Sequence, residues 1–232
     1  MQKILLFICA ALLLVSCSPS TYKPCPCDTK DVYLRAYQDI IVELVEQKLN
    51  WYYLGEYSDE LEKKYFGHTL YEEADWEGLK EDMIKAQHKL YNDSARFVDL
   101  YLDTLKPHLN AEVFMKEEYP KNLDTLKYYF QEFPHTTQEI IDSLNTSQTD
   151  YQPSDFKLCT FRMQPLGATI DTSKPWIGKL RLSKLVLDKA QRKGLLYYSF
   201  RCGRTCGRDA LLLITNDGTT WKIDYVIMQS VN

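Results

Sequence analysis

From Val32 onward the apolar positions Tyr37, Ile40, Ile41, Leu44, Val45 and Leu49 return every three or four residues, which places them on one face of a helix. The spacing predicts a helix capped by Asp28 and reaching about Asn50, with that face in the core. A short helix is predicted over Ser58–Phe66, interrupted by Gly67. Asp75 caps a further one, with Trp76, Leu79, Met83 and Leu90 inward. Ser94, Phe97, Tyr101 and Leu105 predict another helix that must stop near Pro107, because proline lacks the donor and clashes with the preceding turn. Leu123, Leu126, Phe130 and Phe133 mark a helix ending at Pro134, and Thr137–Leu144 a short last one.

Asn145–Asp155 reads as a linker, and beyond it the period changes from that of helices to that of strands. Strands are predicted over Lys157–Met163, Leu180–Leu187, Leu195–Cys202, Ala210–Thr215 and Trp221–Met228. A parity shift between Leu182 and Leu185 predicts a bulge near Ser183 and Lys184. Asn216, Asp217 and Gly218 supply turn chemistry between the last two strands. Leu211–Ile214 is apolar on both faces, as befits a central strand, whereas Trp221, Ile223, Tyr225 and Ile227 alternate with polar residues. The expected fold class is α+β: about five helices covering one face of a C-terminal antiparallel meander of four to five strands.

The N-terminus changes where such a fold would reside. Lys3 precedes an apolar run, Ile4–Val15, too short to span a bilayer comfortably, as in a signal peptide. Leu14, Val15, Ser16 and Cys17 match the lipobox, so this segment resembles those of bacterial lipoproteins, and the resemblance implies lipidation at Cys17. Several acyl chains at about 0.8 kcal/mol per buried methylene would anchor the chain durably without spanning the membrane. Ser18 follows Cys17 where an aspartate would favour inner-membrane retention, and residues 18–23 lack an acidic run. The outer membrane, at its periplasmic face, is the expected location. The organisation expected is a leader over residues 1–16, a Pro- and Ser-rich tether over 17–27, a helical region over 28–145 and a sheet region over 155–232, helices and sheet forming one domain.

Composition narrows the function classes. The chain has 232 residues and a net charge of −4, without long runs of one sign, so nucleic acid is not an expected partner. Its 7 cysteines include Cys25, Cys27, Cys159, Cys202 and Cys206 beyond Cys17, in a compartment that permits disulfides. Five is odd, and sequence alone does not give their connectivity.

From Leu182 the chain is similar to an uncharacterised family of Bacteroidota lipoproteins and secreted proteins. The residues that carry this are Leu182-Ser183, the Tyr-rich Leu195–Ser199, Cys-Gly-x-x-Cys-Gly over Cys202–Gly207, and Gly-x-x-Trp-Lys-Ile over Gly218–Ile223. The likeness covers about the last fifty residues. It implies a fold family and no activity, and Arg208-Asp209 after the second Cys-Gly makes this turn unusually basic.

In the expected meander Cys202 ends one strand and Cys206 begins the next, within bridging distance, so a disulfide fixing the turn is expected. A redox pair activated by neighbouring arginines is the sharper alternative, although Cys-x-x-x-Cys between strands differs from the helix-start position of thioredoxin-type motifs. A zinc site from Cys25, Cys27, Cys202 and Cys206 is a third reading, and Cys-x-Cys is not a usual knuckle. Arg201, Arg204 and Arg208 form a candidate anion clamp, with the amides of Gly203 and Gly207 as further donors.

Elsewhere, His68 with Glu72 and His88 with Asp82 make only loose metal patterns, and no nucleophile elbow, P-loop or dinucleotide fingerprint occurs, so no metal or cofactor is expected. The chain has 17 tyrosines, and its aromatics concentrate at Trp51, Tyr52 and Tyr53, a candidate aromatic platform for a glycan or protein surface. The expectation that results is a non-catalytic binding or structural module facing an envelope protein or glycan. A thiol redox protein, or a hydrolase whose site is not legible in sequence, is the alternative.

Overall fold

The computed structural model describes residues 29–67, 73–109, 128–167, 176–203 and 206–231. Outside them lie the leader with Cys17, the tether cysteines Cys25 and Cys27, the expected cap Asp28, His68, Glu72, Leu123, Leu126 and Arg204. Helix α1 (Val32–Glu43) is capped by Asp31, whose carboxylate accepts from the amides of Tyr33 at 2.9 Å and Leu34 at 3.1 Å. It continues into a π turn, Leu44–Lys48, and then α2 (Asn50–Leu54). In the π turn the Leu49 amide reaches back five residues to the Leu44 carbonyl, and the wider turn brings Leu44, Val45 and Glu46 inward together. Gly55, at φ 54°, provides the left-handed corner between α2 and α3 (Glu56–Phe66).

Asp75 caps α4 (Trp76–Tyr91) through the Gly78 amide, as expected. Leu79 and Leu90 are buried, but Trp76 lies on the exposed first turn against Phe66. Ser94 begins only one 3-10 turn, after which the chain extends into β1 (Asp99–Asp103) where a helix was expected. The alternation Asp99, Leu100, Tyr101, Leu102, Asp103 explains this, since period two sends the leucines to one face and the polar tips to the other. Residues 128–132 are helical, and α5 (Thr137–Leu144) opens with a capping box between Thr136 and Glu139.

The remaining elements are β2 (Arg162–Pro165), β3 (Trp176–Leu182), β4 (Val186–Leu187), β5 (Lys193–Arg201), β6 (Gly207–Asn216) and β7 (Trp221–Val231). They form with β1 a 7-stranded sheet in the order β2-β1-β3-β5-β6-β7, with β4 also paired to β5. The fold is α+β, with more strands than expected and a mixed sheet, because β1 runs parallel to both β2 and β3. The break between β3 and β4 falls at Ser183–Leu185, where the parity shift placed a bulge. In β7 a register shift carries Ile223 opposite Ile214 but Tyr225 opposite Leu213. Trp221 and Ile223 therefore face one core and Ile227 the other, which breaks the single alternating face expected of this strand.

Both sheet faces are covered, not one. On the first, α1, the π turn and α2 pack on Leu100, Leu102, Leu180, Leu196, Leu212 and Ile214. On the second, Ile140 and Leu144 of α5 join Phe133 and Leu109 over Leu195, Tyr197, Leu211 and Leu213. Among the described residues no helix is long and apolar enough to cross a membrane.

Tyr37 ties α1 to the β3–β4 break. Its buried hydroxyl donates to the Ser183 carbonyl at 2.9 Å and accepts from the Leu185 amide at 2.8 Å, serving two backbone groups that the interrupted ladder leaves over. Tyr37→Phe is expected to cost about 2 kcal/mol by stranding both groups, a fall in Tm of roughly 4–8 °C on thermal unfolding.

The outer edge of β7 meets α1 as well. Asp39 accepts from the Trp221 amide at 2.9 Å and Glu43 from the Ile223 amide at 2.8 Å. Burial holds both carboxyls above their ordinary values against these hydrogen bonds. Raised folded values mean that the folded state binds more protons than the unfolded one, so their contribution is fullest in acid and is lost as pH climbs from the ordinary carboxylate range through the raised values. Against an Asp39→Asn, Glu43→Gln variant, which keeps an acceptor oxygen at each site, the wild type should lose stability across that window in denaturant titrations at stepped pH.

Candidate functional site

Strands β1, β3, β5 and β6 lie side by side, and their register writes two rows across the face turned away from α1. Asp103, Arg181, Ser199 and Asp209 form one row, and Tyr101, Lys179, Arg201 and Gly207 the next. Period two sorts them: in β3, Leu180 and Leu182 join the core under α1, which leaves Lys179 and Arg181 on the opposite face, and Ile177 reaches the same core only before the β1–β3 register shift. The apolar cluster beneath α5 ends at Tyr197, whose hydroxyl donates to the His108 carbonyl at 3.0 Å. Beside that boundary lies a cleft of about 350 Å³, floored by Asp103, Lys179, Arg181, Ser199 and Arg201 and walled by Leu105 and Leu166.

Its cations are held in different ways. Arg181 donates through Nε and Nη2 to one oxygen of Asp103, whose side chain is only 8% exposed. Arg201 grips Asp209 with two parallel hydrogen bonds of 2.9 and 2.8 Å, the fork geometry that fixes a guanidinium most firmly. The carboxylate holds Arg201 further towards its charged form. Gly207 makes this grip feasible: a Cβ there would stand 2.7 Å from Arg201 Cδ and 2.9 Å from Nη1. Lys179, directly opposite Arg201, makes no hydrogen bond or ion pair among the described residues. Like charges facing each other across a strand pair repel, so the apposition is unfavourable unless an anion lies between them.

Family models, curated proteins and solved structures give no match. The site is therefore read from its own geometry.

The basic turn supplies one member of this cleft. Cys202 and Cys206 are joined by a disulfide with Cα atoms 5.2 Å apart, at the β5–β6 hairpin end. The bridge employs both sulfurs, so the four-cysteine zinc reading fails. Arg201 and Arg208 point to opposite faces: Arg208 shares its row with Phe200, donates to the Lys48 carbonyl at 3.2 Å, and lies beside Tyr198, whose hydroxyl burial pushes up to about 12. Of the clamp expected from Arg201, Arg204 and Arg208, Arg204 lies outside the described residues, and Arg201 and Arg208 do not converge: Arg201 pairs with Gly207 and Arg208 with Phe200, one position along and therefore on the other face.

The aromatic platform does not form either. Helical geometry in α2 buries Tyr53 completely, packs Trp51 against the core and leaves Tyr52 40% exposed beside the Phe200 ring. Nor does His88 pair with Asp82, which accepts instead from Lys64, Lys85 and Tyr65. Cys159 is itself in a disulfide, with a partner outside the described residues.

Asp103, Lys179, Arg181, Ser199 and Asp209 were not singled out by sequence. Alternating charges in a half-buried strand look like an ordinary wet face until the register sets the strands side by side. Trp-Ile-Gly-Lys-Leu-Arg-Leu over Trp176–Leu182 carried the signal, and the reading that began this strand at Leu180 omitted its first four residues.

Proposed function

We propose that this protein is a lipid-anchored envelope protein acting as a non-catalytic binding module, with the cleft over β1, β3 and β5 as its binding site. The observation that carries the reading is Lys179, unpaired among the described residues, beside two arginines already immobilised by carboxylates. A preorganised donor set of this kind binds without first having to be ordered. The lipobox ending at Cys17 supports the anchor, and the absence of a polybasic stretch leaves attachment to the lipid.

The test uses mature protein purified in detergent. Intact mass should show acyl chains on Cys17. Immobilised protein should retain envelope material that Lys179→Gln protein releases, with the variant's unfolding midpoint no lower than the wild type's, because Lys179 makes no ion pair among the described residues and faces Arg201. Equal retention by both forms would remove the cleft from the binding site.

A further inference from the structure

We infer that the cleft takes a monocarboxylate bearing an apolar substituent. The inference rests on the cleft being a binding site and adds the chemistry of the occupant.

Charge sets the first half of the argument. Among the described residues, Lys179, Arg181 and Arg201 face Asp103 and Asp209, which leaves one positive charge over. A single negative charge completes that balance. A phosphate dianion would overshoot it beside two carboxylates whose side chains are 8% and 10% exposed, where repulsion is poorly screened. Asp103 and Asp209 each engage a guanidinium, so the cation with no carboxylate partner among the described residues is the point-charge ammonium of Lys179, with the Ser199 hydroxyl in the adjoining row. Those donors suit one carboxylate and lack the several forks that phosphate recognition uses.

The walls set the second half. Leu105 is 61% exposed and lines the cleft together with Leu166, so the charged floor has apolar walls. An acid with an aliphatic group can place its carboxylate at Lys179 and cover these side chains from water, which contributes roughly 25 cal/mol per Å² of apolar surface buried. A polyhydroxylated acid gains the charge interaction and strands its hydroxyls against leucine. The class therefore includes acylated amino acids and excludes uronates.

The test is calorimetric titration of the detergent-purified mature protein with N-acetyl-leucine, N-acetyl-leucinamide, acetate, glucuronate and inorganic phosphate. N-acetyl-leucine is expected to bind most tightly, and Lys179→Gln to weaken it by about tenfold, the size of one charge-assisted hydrogen bond. Leu105→Ser, at an exposed position that the fold tolerates, should erase most of the advantage of N-acetyl-leucine over acetate. Equal binding of the amide, tighter binding of glucuronate or phosphate, or an undiminished Lys179→Gln affinity would overturn the inference. If none of these probes binds while envelope material is still retained in a Lys179-dependent manner, the ligand class is wrong and the cleft remains the binding site.

Discussion

Gly178→Ala should cost about 3 kcal/mol and weaken ligand capture in the same stroke. A Cβ at Gly178 would stand 2.6 Å from the Arg201 carbonyl oxygen and 2.7 Å from the Phe200 ring, and the first of these neighbours is backbone. Side chains can rotate away from an added methyl, whereas a strand carbonyl moves only with its ladder, so the cost lies at the upper end for overpacking. Gly178 pairs with Leu100 immediately after the β1–β3 register shift. Displacing Arg201 there loosens its grip on Asp209 and changes the cleft floor. Denaturant unfolding should show the midpoint falling, with Tm lower by roughly 6–12 °C. A variant as stable as the wild type would show that the sheet yields at this contact.

Glu46→Leu is expected to be as damaging for a different reason. Glu46 is 1% exposed in the π turn, and its carboxylate accepts from the hydroxyls of Tyr91 and Thr160 while its carbonyl accepts from Gln87 at 2.7 Å. It therefore joins α1, α4 and the chain entering β2. Burial, with the Glu46 charge added, pushes the hydroxyls of Tyr53 and Tyr91 far above the ordinary tyrosine range, so both stay protonated and Tyr91 stays a donor. Leucine fills the space and strands two buried hydroxyls, at about 3 kcal/mol in total. Adding Tyr91→Phe and Thr160→Val removes the stranded groups, and the triple variant should recover most of the loss in equilibrium unfolding. Failure to recover would place the role of Glu46 in the π turn itself rather than in its partners.

The helices that pack by one apolar stripe were legible in the chain. Tyr37, Ile40 and Ile41 announce α1, and the Thr136–Glu139 capping box bounds α5. Strands β5 to β7 and the break at Ser183 were legible for the same reason, since each is long enough for its period to repeat. Strand β1 was not. Over five residues Asp99–Asp103 alternates cleanly, but Phe97, Tyr101 and Leu105 also satisfy a helical spacing, and only pairing with β2 and β3 decides between them. The candidate site was hidden by the same gap. Arg201 was visible beside the cysteines, yet the cleft residues grouped with it, Lys179, Arg181 and Asp103, come from strands about 20 and 100 residues away, so the grouping exists only once the register is known. The turn that drew attention to itself fixes the hairpin end, and the chemistry lies one row further in.

The carboxylates of Asp39 and Glu43 carry a consequence for crowding. They occupy the outward amides at the start of β7, which a strand from another molecule would otherwise use to extend the sheet, and Pro165 closes the last position of β2 at the other edge. The lipid anchor proposed above would hold copies on one surface and raise the frequency with which they collide. At these positions a colliding strand finds no free amide, which disfavours strand exchange between neighbours.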